Sequence, residues 1–277
     1  PVALAGASYS RLRRHMHSAI GQLQSHAKRF GARAVPVSIL PTLRREDFGM
    51  ATITDLPRYR ALASGLAQAR HAPFQICIDG DDALQMTTGD AAMESANTAF
   101  QIHLSVAPSE FARMFNAAML VTAPVLAASG NSPMFLGHRL WQETRIALFK
   151  QAGDDRPPHE GDGFRMPSRF GFGNGWVRDG AFELFAESVA LHEPLLCECR
   201  DEEDPLESVG AGRLPSLWEL RLHHCTVWRW NRPVYDPAGS GHLRIELRAL
   251  PAGPSVDDML GNAAFFEAVG IVTSALA

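Results

Sequence analysis

The sequence lacks the motifs that identify several common enzyme classes. It contains no G-x-x-x-x-G-K-[ST] run, no G-x-G-x-x-G and no G-x-S-x-G, so the P-loop, dinucleotide and serine-hydrolase fingerprints are missing. Lysine is nearly missing too, because only Lys28 and Lys150 among the 26 basic residues are lysines. The others are arginines, whose guanidinium forks suit carboxylate and phosphate, although codon bias explains the same composition.

Cysteines, long apolar runs and excess positive charge are also scarce. The four cysteines are too few for a disulfide framework, and no signal peptide is visible, so a cytoplasmic location is expected. The longest apolar stretch, 115–129, is too short and too interrupted for a membrane span and predicts a buried helix. A net charge of −4 gives no support to a nucleic-acid partner.

What is present is the balance of a soluble globular protein. The chain has 277 residues, of which 46% are hydrophobic and 20% charged. A chain of this length buries a large core without a disulfide or metal staple. We expect one catalytic-type domain over residues 1–277, and this composition permits a homo-oligomer without requiring one.

Hydrophobic periodicity predicts helices mixed with strands that are joined by hairpins. Ser255 and Asp258 form a capping-box pattern ahead of a last helix, and the Gly- and Pro-rich stretch 153–168 predicts a loop. The mixture indicates an α+β fold with an antiparallel sheet. Helices are predicted at 10–30, 55–70, 108–129 and 138–152, and strands at 35–39, 73–79, 98–106, 226–231 and 242–250.

The last predicted strand carries the most informative charge pattern. Arg244, Glu246 and Arg248 alternate with apolar residues and therefore share one face. The carboxylate can ligate a hard cation such as Mg²⁺, and the two guanidinium groups can clamp a phosphate. The competing interpretation is a salt-bridge ladder on a solvated sheet face.

Two further positions add to this hypothesis. Gln101 and His103 lie on the polar face of the strand predicted at 98–106, where a neutral histidine can ligate a metal or contact a phosphate. The competing interpretation is a histidine satisfied by its neighbours. If both strands belong to one sheet, their polar faces converge on one site.

Weaker patterns occur in the arginine- and cysteine-bearing segments. Arg229 and Arg232, in the tryptophan-containing run 228–233, could bind a carboxylate or lie on the surface. A zinc site is a further hypothesis, but the spacing of its cysteines fits the usual C-x₂₋₄-C pairing poorly. Its ligands would be Cys197, Cys199, His223, His224 and Cys225.

Several segments together resemble glutamate–cysteine ligase family 2, a carboxylate–amine ligase family. The segments are ANTAFQIHLSV (96–106), GNSPMFLGHRLWQETR (130–145), TVWRWNRPVYD (226–236) and HLRIELRALPAGPSVDDMLGNAAFF (242–266). The last of them is also similar to the part of glutamine synthetase that reads R-x-E-x-R. The resemblance implies a glutamine synthetase-like antiparallel sheet with helices packed on one face.

The resemblance also implies a reaction and a set of site residues. ATP would phosphorylate a glutamate-like carboxylate, with Mg²⁺ as cofactor, and an amine would attack the acyl phosphate to give a γ-glutamyl-type amide, as in glutathione biosynthesis. Arg248 and Arg244 would be catalytic, Glu246 and His103 metal ligands, and Gln101, His103 and Arg248 nucleotide contacts. The substrate contacts would be Asn131, Ser132, Arg145, Arg229 and Arg232.

The sequence departs from the family pattern in one respect. Family members open with a strand that carries a G-x-E-x-E type acidic motif, and this motif is not found here. We therefore expect a chain without the N-terminal acidic strand. Two alternatives stay open: a relative that binds nucleotide or a partner chain without turnover, and a kinase that transfers phosphate without forming an amide.

Overall fold

The computed structural model describes residues 3, 6–49, 51–158, 165–200 and 204–276. Within these ranges it confirms a mixed α+β architecture with hairpin connections. The helices are α1 (Ser8–Lys28), α2 (Pro57–Arg70), α3 (Phe111–Ser129), α4 (Thr144–Ala152), α5 (Ala181–Leu191), α6 (Pro205–Gly210), α7 (Trp218–His224) and α8 (Val256–Leu276). The strands are β1 (Phe74–Asp79), β2 (Ala83–Thr88), β3 (Ile102–Val106), β4 (Met134–Phe135), β5 (His138–Arg139), β6 (Phe170–Gly171), β7 (Trp228–Arg229), β8 (Asn231–Asp236) and β9 (His242–Leu247).

The central element is a three-stranded antiparallel sheet in the order β3–β9–β8. Strands β8 and β9 form a hairpin whose turn contains Gly239 and Gly241, both at positive φ, where glycine is favoured. Strand β3 comes from far earlier in the chain and pairs with the other edge of β9. The two strands that carry the predicted site residues therefore lie side by side.

Helices cover one face of this sheet and form the main core. Ile245 and Leu247 of β9 point into a cluster with Phe111 and Val121 of α3, and with residues of α5 and α8. Helix α3 and the turn before it, Pro108–Ser129, are long and apolar enough to cross a membrane by composition. Their place in this cluster identifies α3 as the core helix that the sequence predicts.

A second unit is the β1–β2 hairpin, which packs against α4 and a short 3₁₀ helix, Ala92–Ala96. Phe74, Ile76 and Ile78 are buried, and the residues between them are exposed. The predicted alternation of strand 73–79 is confirmed. Strand β2 has no counterpart in the sequence prediction, because only two apolar residues, Leu84 and Met86, mark its buried side before Thr88.

Aromatic rings join the sheet to the other elements. The ring of Phe170 stacks on that of Trp228, with 4.7 Å between centroids, and Phe149 lies 5.0 Å from both Phe170 and Trp230. The contact of Phe170 with Trp228 accompanies a short parallel pairing of β6 with β7. The glycine-rich segment that follows the predicted loop 153–168 thus begins as a strand.

Three predicted boundaries were wrong. Residues 35–39 form no strand, because Pro36 lacks an N–H and this segment instead lies against residues 252 and 253. The helix predicted at 138–152 begins only at Thr144, since His138 and Arg139 pair as β5 with β4. The hairpin strand predicted at 226–231 lies at Asn231–Asp236, because Trp228 and Arg229 pair with β6.

Gly253 is the point of closest approach between these distant segments. It has φ +75°, and a Cβ added there would lie 2.9 Å from the carbonyl carbon of Pro36 and closer still to its oxygen. We expect Gly253→Ala to lower the free energy of unfolding by about 3 kcal/mol, because it combines left-handed strain with overpacking. Urea unfolding measures this loss.

The matched control for this substitution is Gly239→Ala. Gly239 has a similar φ of +65°, but nothing lies within 4 Å of an added Cβ. Only the conformational strain applies there, so a loss of about 1 kcal/mol is expected. Equal losses at the two positions would contradict the close approach to Pro36.

His224 ends α7 in a buried position, where its Nε2 lies 2.9 Å from the carbonyl oxygen of Pro233 and donates to it. Burial, followed by the nearby positive charges of Arg232 and Arg229, lowers the pKa of His224 to about 3. Between about pH 6.5 and pH 3, His224 therefore binds a proton in the unfolded chain but stays neutral in the folded chain. Stability falls as the pH falls through this window.

We expect His224→Gln to flatten this pH dependence, because an amide N–H can donate to Pro233 without titrating. Lowering the pH from 7 to 5 costs the parent about 2 kcal/mol through this residue alone. The variant lacks that loss in urea unfolding at the two pH values. His26→Gln, at an exposed histidine, serves as control, and equal slopes for all three proteins would refute the assignment.

Candidate active site

The face of the sheet opposite the core carries a row of charged and polar side chains. Pairing places His103 of β3, Glu246 of β9 and Arg232 of β8 directly across from one another. Arg244 and Ser105 form the neighbouring row. The convergence expected from the two strand patterns is thus present in the structure.

Glu246 lies at the centre of this row and is 3% exposed. Its Oε2 accepts a hydrogen bond from Arg232 Nε at 2.6 Å, and its Oε1 lies 3.6 Å from His103 Nε2. Arg248 Nε is 4.0 Å from Oε2. One buried carboxylate is therefore shared between two arginines and a histidine.

The positive charge of Arg248 is only partly balanced by nearby negative charge. Its Nε is buried and has no hydrogen-bond partner among the described residues. Burial, followed by the positive charge of Arg232, lowers the pKa of Arg248 to about 10, although Glu246 and Glu94 oppose the shift. The guanidinium is still charged at neutral pH, so it is a buried cation with too little negative charge around it.

His103 responds to the same surroundings. Burial lowers its pKa, Glu246 opposes this shift, and the arginines at 244, 232 and 248 add to it. The imidazole is therefore neutral near pH 7. A neutral ring can accept a hydrogen bond or donate one without adding positive charge to the site.

Arg244 lies towards the hairpin end of the same face. Its Nη1 donates to Asp236 Oδ2 at 2.8 Å and lies 3.1 Å from His242 Nε2. Its Nε is buried without a hydrogen-bond partner among the residues described. Backbone N–H donation from Ala238, followed by Arg244 itself, lowers the pKa of Asp236.

The chemistry of this donor set suits an anion better than a cation. Both oxygens of Glu246 face positive or hydrogen-bonding groups, namely two arginines and a histidine. Mg²⁺ prefers several oxygen ligands in octahedral geometry. Across the described part of the chain no three His, Cys, Asp or Glu side chains are grouped to hold a metal. Glu246 and His103 therefore do not form a magnesium site by themselves.

Gln101 lies two residues before His103 on the same side of the chain. Both are exposed and line a cavity of about 650 Å³ between β3, α1 and α8. Tyr9 and Glu267 face this cavity from the two helices. The volume is within the range of small-molecule sites.

Three predicted substrate residues form a separate network beside the end of β9. Arg145 is 1% exposed and donates from Nε to Glu143 Oε1 and from Nη2 to the carbonyl oxygen of Ala249, both at 2.6 Å. Ser132 Oγ and the backbone N–H of Asn131 also donate to Glu143. The network holds the segment that follows Arg248, and the polar groups of Arg145 are used within it.

Arg229 also lies apart from the charged row. It is buried, its Nη2 lies 3.0 Å from Glu187 Oε1 on α5, and its Nη1 lies close to Gly173. The structure thus brings together Arg232, Arg244, Glu246, Arg248 and His103, with Gln101 at the margin. Asn131, Ser132, Arg145 and Arg229 support the surrounding elements.

Sequence reasoning missed Glu94, Glu143 and Asp236. Asp236 could have been found, because it pairs directly with His242 in the hairpin and accepts a hydrogen bond from Arg244, two positions further along β9. Glu143 falls inside the helix predicted at 138–152, where no pattern separates it from a surface residue. Glu94 lies in a short 3₁₀ helix, where no periodicity marks a functional position.

The zinc alternative finds no support from the contacts of its histidines. His223 bonds to the carbonyl oxygen of His192, and His224 bonds to that of Pro233. Cys197 and Cys199 are exposed, and Cys225 is half-buried. All three cysteines are free thiols.

Comparison with known proteins gives one clear result. The model of glutamate-cysteine ligase family 2 matches residues 2–275. The chain belongs to this family. The match covers nearly the whole sequence and confirms the resemblance seen in its separate segments, so the chain is a member of a ligase family. No curated protein and no solved structure matches it.

The charge balance predicts how this member of the ligase family responds to loss of Glu246. Glu246→Gln leaves Arg232 and Arg248 without their shared carboxylate, so the free energy of unfolding should fall by about 3 kcal/mol. Inorganic phosphate should then restore more stability to the variant than it adds to the parent. Thermal unfolding with increasing phosphate at constant ionic strength measures both effects.

Glu46→Gln is the matched control, because Glu46 is an exposed partner of Arg44 at 3.9 Å. An exposed pair contributes little, so this variant should behave as the parent does. If Glu246→Gln unfolds like the control, or gains nothing from phosphate, Glu246 is not the shared counter-ion.

Proposed function

We propose that this member of the family is an ATP-dependent carboxylate–amine ligase that forms a γ-glutamyl-type amide through an acyl phosphate. The observation that carries the proposal is the pair Arg232 and Arg248 around one buried carboxylate. Two cations with one shared anion leave room for further negative charge, and phosphoryl transfer brings that charge. The family membership limits the reaction class to ligases of the glutamate–cysteine type.

The proposed reaction has two steps, phosphoryl transfer and attack by the amine. The terminal phosphoryl group of ATP moves to a carboxylate oxygen of a glutamate-like donor, and ADP leaves. The amine nitrogen then attacks the acyl carbon, the bond from that carbon to the phosphate oxygen breaks, and phosphate leaves while the nitrogen loses a proton. No serine or cysteine nucleophile is required.

The residues of the charged row take distinct parts in this proposal. Arg248 and Arg244 stabilise the oxygens of the phosphoryl group, because each has a buried Nε without a partner among the described residues. His103 and Gln101 contact the nucleotide from the cavity side. Arg232 holds Glu246 in place and borders the donor. Asn131, Ser132, Arg145 and Arg229 act on the substrate side by holding the elements around it. Mg²⁺, the proposed cofactor, would supply positive charge to the phosphate oxygens when bound, although the described residues do not hold it by themselves.

A cytoplasmic setting completes the proposal, since ATP and free amino acids are available there. The free thiols are compatible with a reducing compartment. The partners we propose are a glutamate-like acyl donor and an amine, with residues 1–277 acting as one catalytic-type domain.

The decisive variant is Arg248→Gln. Removing a buried, under-compensated cation should leave the melting temperature unchanged or raise it, because Glu246 keeps Arg232 as a partner. The same change should abolish the stabilisation by ATP supplied with Mg²⁺, which for the parent is about 2.7 kcal/mol at a hundred times the dissociation constant. Differential scanning calorimetry gives both values.

Arg33→Gln is the control, because Arg33 is exposed and has no ion pair among the described residues.

Turnover is then measured as ADP release that requires both glutamate and an amine, and Arg248→Gln should lower it at least about 100-fold. Nucleotide binding without turnover would favour the non-catalytic alternative. ADP release without an amine would favour the kinase. An unchanged nucleotide shift in Arg248→Gln would refute the assignment of this row.

A further inference from the structure

A second cavity, of about 570 Å³, has none of the charged row of Glu246 in its lining. Helix α2, the 3₁₀ helix Ala92–Ala96 and the stacked rings of Phe170 and Trp228 enclose it. Glu94 lines this cavity and interacts electrostatically with Arg248. The cavity therefore adjoins the proposed phosphoryl site.

The walls of this cavity are mainly apolar and aromatic. Leu62 and Leu66 of α2 face it on one side, and Phe170 and Trp228 face it on another. Tyr59 lies at the exposed end. Such a lining buries an apolar or aromatic side chain and gains its transfer free energy.

Two opposite charges lie in this lining. The Glu94 carboxylate accepts no hydrogen bond from the described residues, and burial raises its pKa. Arg58, at the start of α2, is exposed and has no ion pair within the described ranges. A carboxyl group and a guanidinium group in one cavity can pair with the ammonium and carboxylate groups of a zwitterion, and an ammonium group beside Glu94 would favour the ionised form of that carboxyl.

We propose that this cavity binds the acceptor amine, and that the acceptor is an α-amino acid with an apolar or aromatic side chain. Its ammonium group lies at Glu94, its carboxylate at Arg58, and its side chain between the apolar walls. The proposal rests on the proposed ligase function, and it names the second substrate of that reaction. The placement of the ammonium group next to Arg248 brings the amine to the side on which the acyl phosphate forms.

Charge and size exclude two other occupants. A glutamate-like donor would place a second carboxylate in a cavity that already holds the buried carboxyl group of Glu94. Cysteine would leave most of the apolar wall in contact with water, because its side chain is far smaller than the space available. The same cavity therefore selects against the donor and favours a larger acceptor.

The test uses isothermal titration calorimetry on the full chain, with and without glutamate and a non-hydrolysable ATP analogue. L-Phenylalanine should bind more tightly than L-cysteine, and L-glutamate should not compete for this cavity. Glu94→Gln should weaken phenylalanine at least about 10-fold. Arg58→Gln should weaken it about 5-fold, as expected for an exposed charge pair.

Two analogues of phenylalanine test the roles of Arg58 and Glu94 separately. Phenethylamine lacks the carboxylate, so Arg58→Gln should leave its affinity unchanged while Glu94→Gln lowers it. 3-Phenylpropionate lacks the ammonium group, so Arg58→Gln should lower its affinity while Glu94→Gln leaves or raises it. The variants Arg33→Gln and Glu46→Gln serve as exposed controls and should match the parent for every ligand.

The outcomes distinguish this proposal from the proposed function. If ATP stabilises the chain through Arg248 but phenylalanine does not bind under any of these conditions, the acceptor assignment is overturned and the ligase function stands. Tighter binding of cysteine than of phenylalanine, or equal binding by the parent and Glu94→Gln, also overturns it. Loss of the nucleotide effect alone, with phenylalanine binding retained as described, counts against the phosphoryl site.

Discussion

The buried carboxylate of Glu246 is the group on which the two faces of the sheet depend. Its strand places Ile245 and Leu247 in the main core, and this burial carries Glu246 out of water on the opposite face. A lone buried carboxylate would be very costly, and Arg232 offsets that cost through a hydrogen bond at 2.6 Å. Arg248 then shares the same carboxylate from 4.0 Å. The stability of the core strand and the positive character of the site thus follow from one set of contacts.

Much of the fold could be predicted because its main signals are local. Phe74, Ile76 and Ile78 alternate with exposed residues, and Ser255 caps α8 through a hydrogen bond from the N–H of Asp258. The failures occurred where a distant segment decides the structure. Residues near Pro36 have the alternation of a strand, but their backbone lies against Gly253, more than 200 positions away. No local pattern contains that information.

The difference between local signals and distant contacts also explains which site residues could be predicted from the sequence. Arg244, Glu246 and Arg248 were found because their spacing of two puts them on one strand face, and the pairing with His103 follows from an alternating strand in the same sheet. Arg229 was not placed correctly, because the short pairing of β6 with β7 was not predicted. It lies apart from the charged row and pairs with Glu187 of α5. Glu94 and Glu143 come from irregular segments, so only the packing of α4 and the 3₁₀ helix reveals their neighbours.

Arg248 connects the two parts of the proposed site, because both Glu246 and Glu94 interact with it. Negative charge that enters beside Arg248 offsets part of the positive potential that this guanidinium exerts at Glu94. The carboxylate of Glu94 then becomes more available to an ammonium group in the second cavity. Arrival of a phosphoryl group would in this way favour binding of the amine. This coupling requires no movement of the backbone, since it depends only on charges held in place by β9 and the 3₁₀ helix, and by reciprocity the amine must favour the phosphoryl group to the same extent.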